Sequence, residues 1–218
     1  MAADDDLRAE IAATAARLIA EEGCEYAQAK RRAAHDVLGD KRSSAIPDNA
    51  EVERELRRYL HLFESQTQPK LLAGLRVMAS DLMQRLEAFE PHLTGAVLNG
   101  TATEHSDIHL QLYVDSAKDV EMHLMDAGIQ FDVADGALDE RPRALERLSF
   151  AVPAPRDLGL PRHASHVGVH LHVYPRDAIR VASRQKADRA LEPQLHPVEA
   201  SGRASLAAVR RLLEDTGA

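Results

Sequence analysis

Asp107 and His109 stand two residues apart in Asp107-Ile-His-Leu-Gln-Leu-Tyr-Val114, and His170 and His172 two apart in His166-Val-Gly-Val-His-Leu-His-Val-Tyr174. Polar and apolar residues alternate through both stretches, the period of a half-buried strand, so each pair shares one face. A carboxylate in that setting can act as a metal ligand or general base. Imidazole suits zinc, iron or nickel far better than magnesium. His109, His170 and His172 would make a three-histidine set, with Asp107 as fourth ligand or as a partner orienting one ring. The plainer readings are that Asp107 caps backbone N–H groups of the turn before it, and that the histidines are polar filler. Alternation puts each pair on one face whatever its purpose. His166 starts its strand out of reach, and His105 sits in the preceding turn, where it contacts a ligand or solvent.

That turn is Leu98-Asn-Gly100-Thr101-Ala-Thr-Glu-His-Ser106. Gly100 adopts backbone angles a side chain resists, so with Thr101 and Ser106 it could let phosphate oxygens approach backbone donors. A plain hairpin turn accounts for it equally well. Glu104, Asp132 and Asp177 are the other acids near this region. Asp132 is the one to supply a compensating carboxylate, if it is not simply solvated.

The elements that must position these residues fall into two blocks. Helical patterns cover 5–22, Tyr26 to Leu38, a stretch carrying Val52, Leu56, Tyr59, Leu60 and Phe63, and a strong one carrying Leu71, Leu75, Met78, Leu82, Leu86 and Phe89. Gly23 ends the first. Asp48 caps the third, with Glu51 closing a capping box. Gln66 to Pro69 and Pro91 are breaks. Strands are predicted at 93–98, 107–114, 129–133, 148–152 and 166–174, with a helix from Ser116 to about Ala127 whose apolar side is Val120, Leu124 and Met125. Loops are read at Asp40 to Pro47, Gly136 to Pro142 and Pro153 to Pro161, and surface chain at 176–200. A last helix follows Ser205. The expected fold class is α+β, with an N-terminal helical region (1–68) and a mixed-sheet domain (69–218).

Composition narrows the functions available. The 218 residues carry a formal charge of −8, from 27 Lys and Arg against 35 Asp and Glu, which argues against broad nucleic-acid or anionic-membrane binding. Lys30-Arg31-Arg32 could serve a recognition helix, but the plainer reading is a solvated helix face. Aromatics at 4% leave few stacking platforms for single strands. The single cysteine, Cys24, excludes an internal disulfide and reads as a small buried residue. No apolar run is of bilayer-spanning length and the acidic N-terminus is unlike a signal peptide, so a cytoplasmic protein is expected. No Ser–His–Asp order, Walker loop or cysteine cluster suggests itself.

The order of elements and the run Ser106-Asp107-Ile108-His109-Leu110 resemble the nucleotidyltransferase superfamily over about residues 71–175. That family has a helix, a strand ending in Gly-Ser, a turn, a strand bearing Asp-x-Asp, and a further acid on a later strand. The resemblance matches its Gly-Ser to Gly100-Thr101 and implies a nucleotidyltransferase-like fold, a nucleotide or other phosphorylated ligand, and a divalent metal, magnesium or zinc, held in part by Asp107. The chain departs from the pattern in three places. His109 replaces the second carboxylate, His170 or His172 stands where the late acid is expected, and the turn from Gly100 is short. Magnesium prefers oxygen ligands in near-octahedral array, so altered or lost nucleotidyl transfer is the expectation. The alternatives are a non-catalytic scaffold that meets a protein partner through its N-terminal helices, and a transition-metal protein using His109, His170 and His172.

Overall fold

The computed structural model describes residues 2–39, 45–136, 142–160, 165–181 and 195–217. Parts of the loops read at 40–47, 136–142 and 153–161, and most of 176–200, lie outside those residues. The chain forms two compact units, Met1–Pro69 with Thr101–His105, and Lys70–Gly100 with Ser106–Ala218.

The helical unit contains α1 (Ala2–Glu22), α2 (Tyr26–Leu38) and α3 (Asn49–Phe63). Small residues let α1 approach its neighbours closely: Ile11, Ala12, Ala15, Ala16, Ala29, Ala33, Val52, Leu56 and Leu60 form one buried cluster. Gly23, at φ +66°, ends α1, and the His105 ring occupies the space where a side chain at 23 would stand. Cys24 is half-buried and its Sγ accepts a hydrogen bond from Arg32 at 3.2 Å. Phe63, expected on the apolar face of α3, is instead 71% exposed beside Tyr59, because the helix ends there. The capping box forms as the spacing predicts, with Glu51 N–H donating to Asp48 and Asp48 N–H to Glu51, each at 2.7 Å. Asp48→Ala should cost the helical unit about 1 kcal/mol in urea unfolding, and Asp48→Asn much less.

The second unit begins at Lys70, within α4 (Gln68–Arg85). Pro69 sits in the first turn of this helix, where a missing N–H costs nothing. Among the described residues the sheet has six strands in the order β3-β4-β5-β2-β1-β6. They are β1 (His92–Thr94), β2 (Ile108–Val114), β3 (Asp132–Asp135), β4 (Glu146–Pro153), β5 (His166–Pro175) and β6 (Ala204–Ser205). β2 and β5 run parallel and the other pairs antiparallel. The apolar face carries Leu93, Ile108, Leu110, Leu112, Leu148, Val169, Leu171 and Val173, all wholly buried. Further buried apolar residues come from α4 (Leu75, Met83), α6 (Ala117–Asp126; Val120, Leu124) and α7 (Leu206–Thr216; Val209, Leu212).

Three local expectations are corrected. The strand read at 93–98 is only β1, because from Gly95 (φ +73°) the chain turns into a short helix, α5 (Gly95–Asn99). Its apolar run Ala-Val-Leu is ambiguous between strand and helix. The strand read at 129–133 starts at Asp132, since Ile129 N–H still bonds back to the Leu124 carbonyl and the chain is leaving α6. Met125, placed on the inner side of α6, is 66% exposed.

Arg76 of α4 is 3% exposed. Its guanidinium donates to the carbonyls of Val97 and Leu98 at 3.0 Å each and meets Glu199 at 2.5 Å. Those carbonyls lie at the end of α5, where helical partners run out, so the arginine satisfies them.

Candidate functional site

The register of β2 on β5 pairs His109 with His170 and Gln111 with His172, and β4 places Ser149 opposite His170 and Arg147 opposite His172. β1 adds Thr94 opposite His109. Paired residues point to one side of a sheet, so the polar face carries the row Thr94, His109, His170, Ser149 and a second row His92, Gln111, His172, Arg147. The face closes at one end, where Tyr113 and Tyr174 are buried with Ala144 and Ala178. Arg203 holds Tyr113 there, donating to its hydroxyl at 2.8 Å and to the Ile179 carbonyl.

Asp107 lies at the open end. One carboxylate oxygen accepts Gly168 N–H at 3.1 Å and the other is 2.9 Å from His170 Nε2. The hydrogen bond from His170 is the main reason its carboxyl is held below the usual range, against the opposing effect of burial. His170 Nδ1 in turn lies 2.9 Å from Ser149 Oγ. The His109 ring stacks on His170 with centroids 4.8 Å apart and planes 20° apart, and lies 5.8 Å from the His172 ring. Burial pushes His109 down to about 4, with His170 nearby adding to the effect. Burial also pushes His172 down to about 4, helped by His109, Arg147 and His170. Both are therefore neutral at pH 7.

Alternation put each pair on one face, and the β2–β5 pairing, which alternation alone does not fix, brings the three imidazoles and Asp107 together. Their arrangement does not fit a shared metal ion. A ligating lone pair lies in the plane of its ring, and stacked rings 20° from parallel, with centroids 4.8 Å apart, aim those lone pairs side by side. Zinc needs nitrogens converging at about 2.0–2.1 Å. Among the described residues no group of three His, Cys, Asp or Glu side chains is disposed to hold an ion. Magnesium fits no better, since Asp107 is the one carboxylate in the cluster and both its oxygens are engaged. Asp132 pairs with Ser149 across β3 and β4, two strands from His170, and is exposed.

The predicted turn residues divide. Gly100 is half-buried and caps α5 at φ +85°, and a side chain there would press on Glu199 in the buried Arg76 pair. Thr101 is 1% exposed and goes with the helical unit. Ser106 is half-buried immediately before Asp107. His105 also belongs to the helical unit, its Nε2 3.3 Å from the Glu21 carbonyl oxygen. His166 lies at the exposed start of β5, bonded to Ser165 at 2.9 Å.

Two residues escaped the sequence reading. Gly168 has no room for a side chain, because a Cβ would overlap the Asp107 carboxylate. A glycine inside an alternating strand is the signal that marks such an approach. Ser149 completes a Ser–His–Asp chain that no sequence order announced, since its place depends on β4 pairing with β5. Comparison with known proteins adds nothing to this picture: no family model, curated protein or solved structure matches the chain.

Proposed function

We propose that this is a nucleotidyltransferase-like protein that has lost magnesium-dependent nucleotidyl transfer and keeps its polar sheet face as a binding site for a nucleotide-type ligand. What supports the reading is that β2 pairs His109 with His170 and Asp107 bonds to His170, one carboxylate and two imidazoles on the strands for which the resemblance implies three carboxylates. One remains, and it is committed to Gly168 and His170. Gly95 supports the reading too. It follows β1 directly at a positive φ, so it suits the strand-ending glycine of the pattern better than Gly100. That shift lengthens the run to Asp107 and puts Ala96 at the serine position of the pattern. With His109 and His172 neutral at pH 7, the face offers hydrogen bonds to a base or sugar instead of a metal bridge to phosphates.

The test is to restore the carboxylates. Wild type should show no magnesium binding by calorimetry and no transfer from ATP, CTP, GTP or UTP. The double variant His109→Asp, His170→Asp should gain magnesium binding at about millimolar strength or tighter. Transfer by wild type that Asp107→Asn abolishes would sink the proposal, as would a double variant that folds and stays indifferent to magnesium.

A further inference from the structure

Asp107, His170 and Ser149 come from three neighbouring strands, β2, β5 and β4, and join through two hydrogen bonds of 2.9 Å. A carboxylate can only accept, so in the neutral form of the His170 ring the proton lies on Nε2 and is donated to Asp107. Nδ1 is then a bare lone pair, and Ser149 must be the donor. The hydroxyl proton already points at a base, and that base is held by a third group. The ring has little freedom to turn away, because His109 stacks on its face. Asp107 is itself fixed by Gly168 N–H. Arg147 lies two residues along β4 on the same face, opposite His172.

We infer that Ser149 is a nucleophile toward carboxylic esters, with His170 as general base and Asp107 as a positioning residue. The Oγ–acyl carbon bond forms as the Ser149 proton passes to His170 Nδ1. The acyl carbon–oxygen bond then breaks and the leaving alcohol takes that proton. Water repeats the sequence on the acyl-serine, releasing the carboxylic acid and restoring Ser149. This activity does not depend on the nucleotidyltransferase-like reading. The carboxylate replacements at 109 and 170 test that reading by magnesium binding, and the relay is tested by nucleophile reactivity.

Wild type treated with a fluorophosphonate should be labelled at Ser149, as read by peptide mass mapping, and His170→Gln should lose the label. The second measurement exchanges the nucleophile. In Ser149→Cys the introduced thiol should react with iodoacetamide at about pH 6, where an ordinary thiol of pKa ~8.5 is almost wholly protonated. Its rate should exceed that of the same variant with His170→Gln by about tenfold or more, and Asp107→Asn should lie between them. A structural role for His170 would not move a thiol's pH profile. Cys24, in the helical unit, is the internal reference. His170→Asn serves in place of His170→Gln if the latter melts early. An unlabelled wild type, or thiol rates indifferent to residue 170, overturns the assignment.

Discussion

Acidification from pH 6.5 to 4 should cost the sheet unit about 3 kcal/mol for each of His109 and His172. Both rings are held neutral in the folded protein, their proton affinity lowered from 6.5 to about 4 chiefly by burial. An unfolded chain takes up those protons at the ordinary value. Between the two values the unfolded state binds more protons, so stability is full above pH 6.5 and is lost as pH falls toward 4. His92 is shifted in the same direction and steepens the loss, while Asp107, lowered from an ordinary value of 3.8, adds its own loss only below this range. The groups that face the rings are Asp107, His170 and Arg147, and only Asp107 favours a charged His109. Urea midpoints measured across this range should fall steeply, and His172→Gln should flatten the curve. A curve equally steep in that variant would show that the slope comes from elsewhere.

Arg76→Ala should destabilise the sheet unit by about 3–5 kcal/mol. The change leaves Glu199, 15% exposed, without its cation and strips two carbonyls of α5 of their donor. Breaking one half of a buried pair is worse than removing both, because the surviving charge stays buried. The double variant Arg76→Met, Glu199→Gln should therefore recover a large share of the loss. Denaturant unfolding of the three variants decides it. A loss below about 1 kcal/mol in Arg76→Ala would mean that water replaces the guanidinium, and the pair is then incidental.

How far the sequence reveals the fold and site depends on the range of the interactions involved. Alternation in 107–114 and 166–174 is local, so it shows which residues share a face, and the structure agrees. The Asp48–Glu51 cap is local for the same reason. Neither pattern could show Ser149 beside His170, because that contact depends on which strand lies next to β5. Ala96–Leu98 misled because three apolar residues satisfy strand and helix alike, and Gly95 decided between them with its positive φ. Tyr113 and Tyr174 alternate as outward residues, yet tertiary cover at one end of the face buries them. The stacking of His109 on His170, which separates a ring stack from a metal site, is a matter of side-chain angles that spacing does not encode.

The parallel pairing of β2 with β5 also governs how the protein is made. Asp107 and Gly168 meet across 61 residues of chain, and every residue of β2 faces a partner synthesised much later. A ribosome adding about 5–20 residues per second leaves the apolar face of β2, with Ile108, Leu110 and Leu112, uncovered on one edge for seconds. Only the antiparallel strand β1 is available to pair with it during that interval. The central strand of the finished sheet is thus the aggregation-exposed element of the nascent one, and the sheet closes only after β5 leaves the exit tunnel.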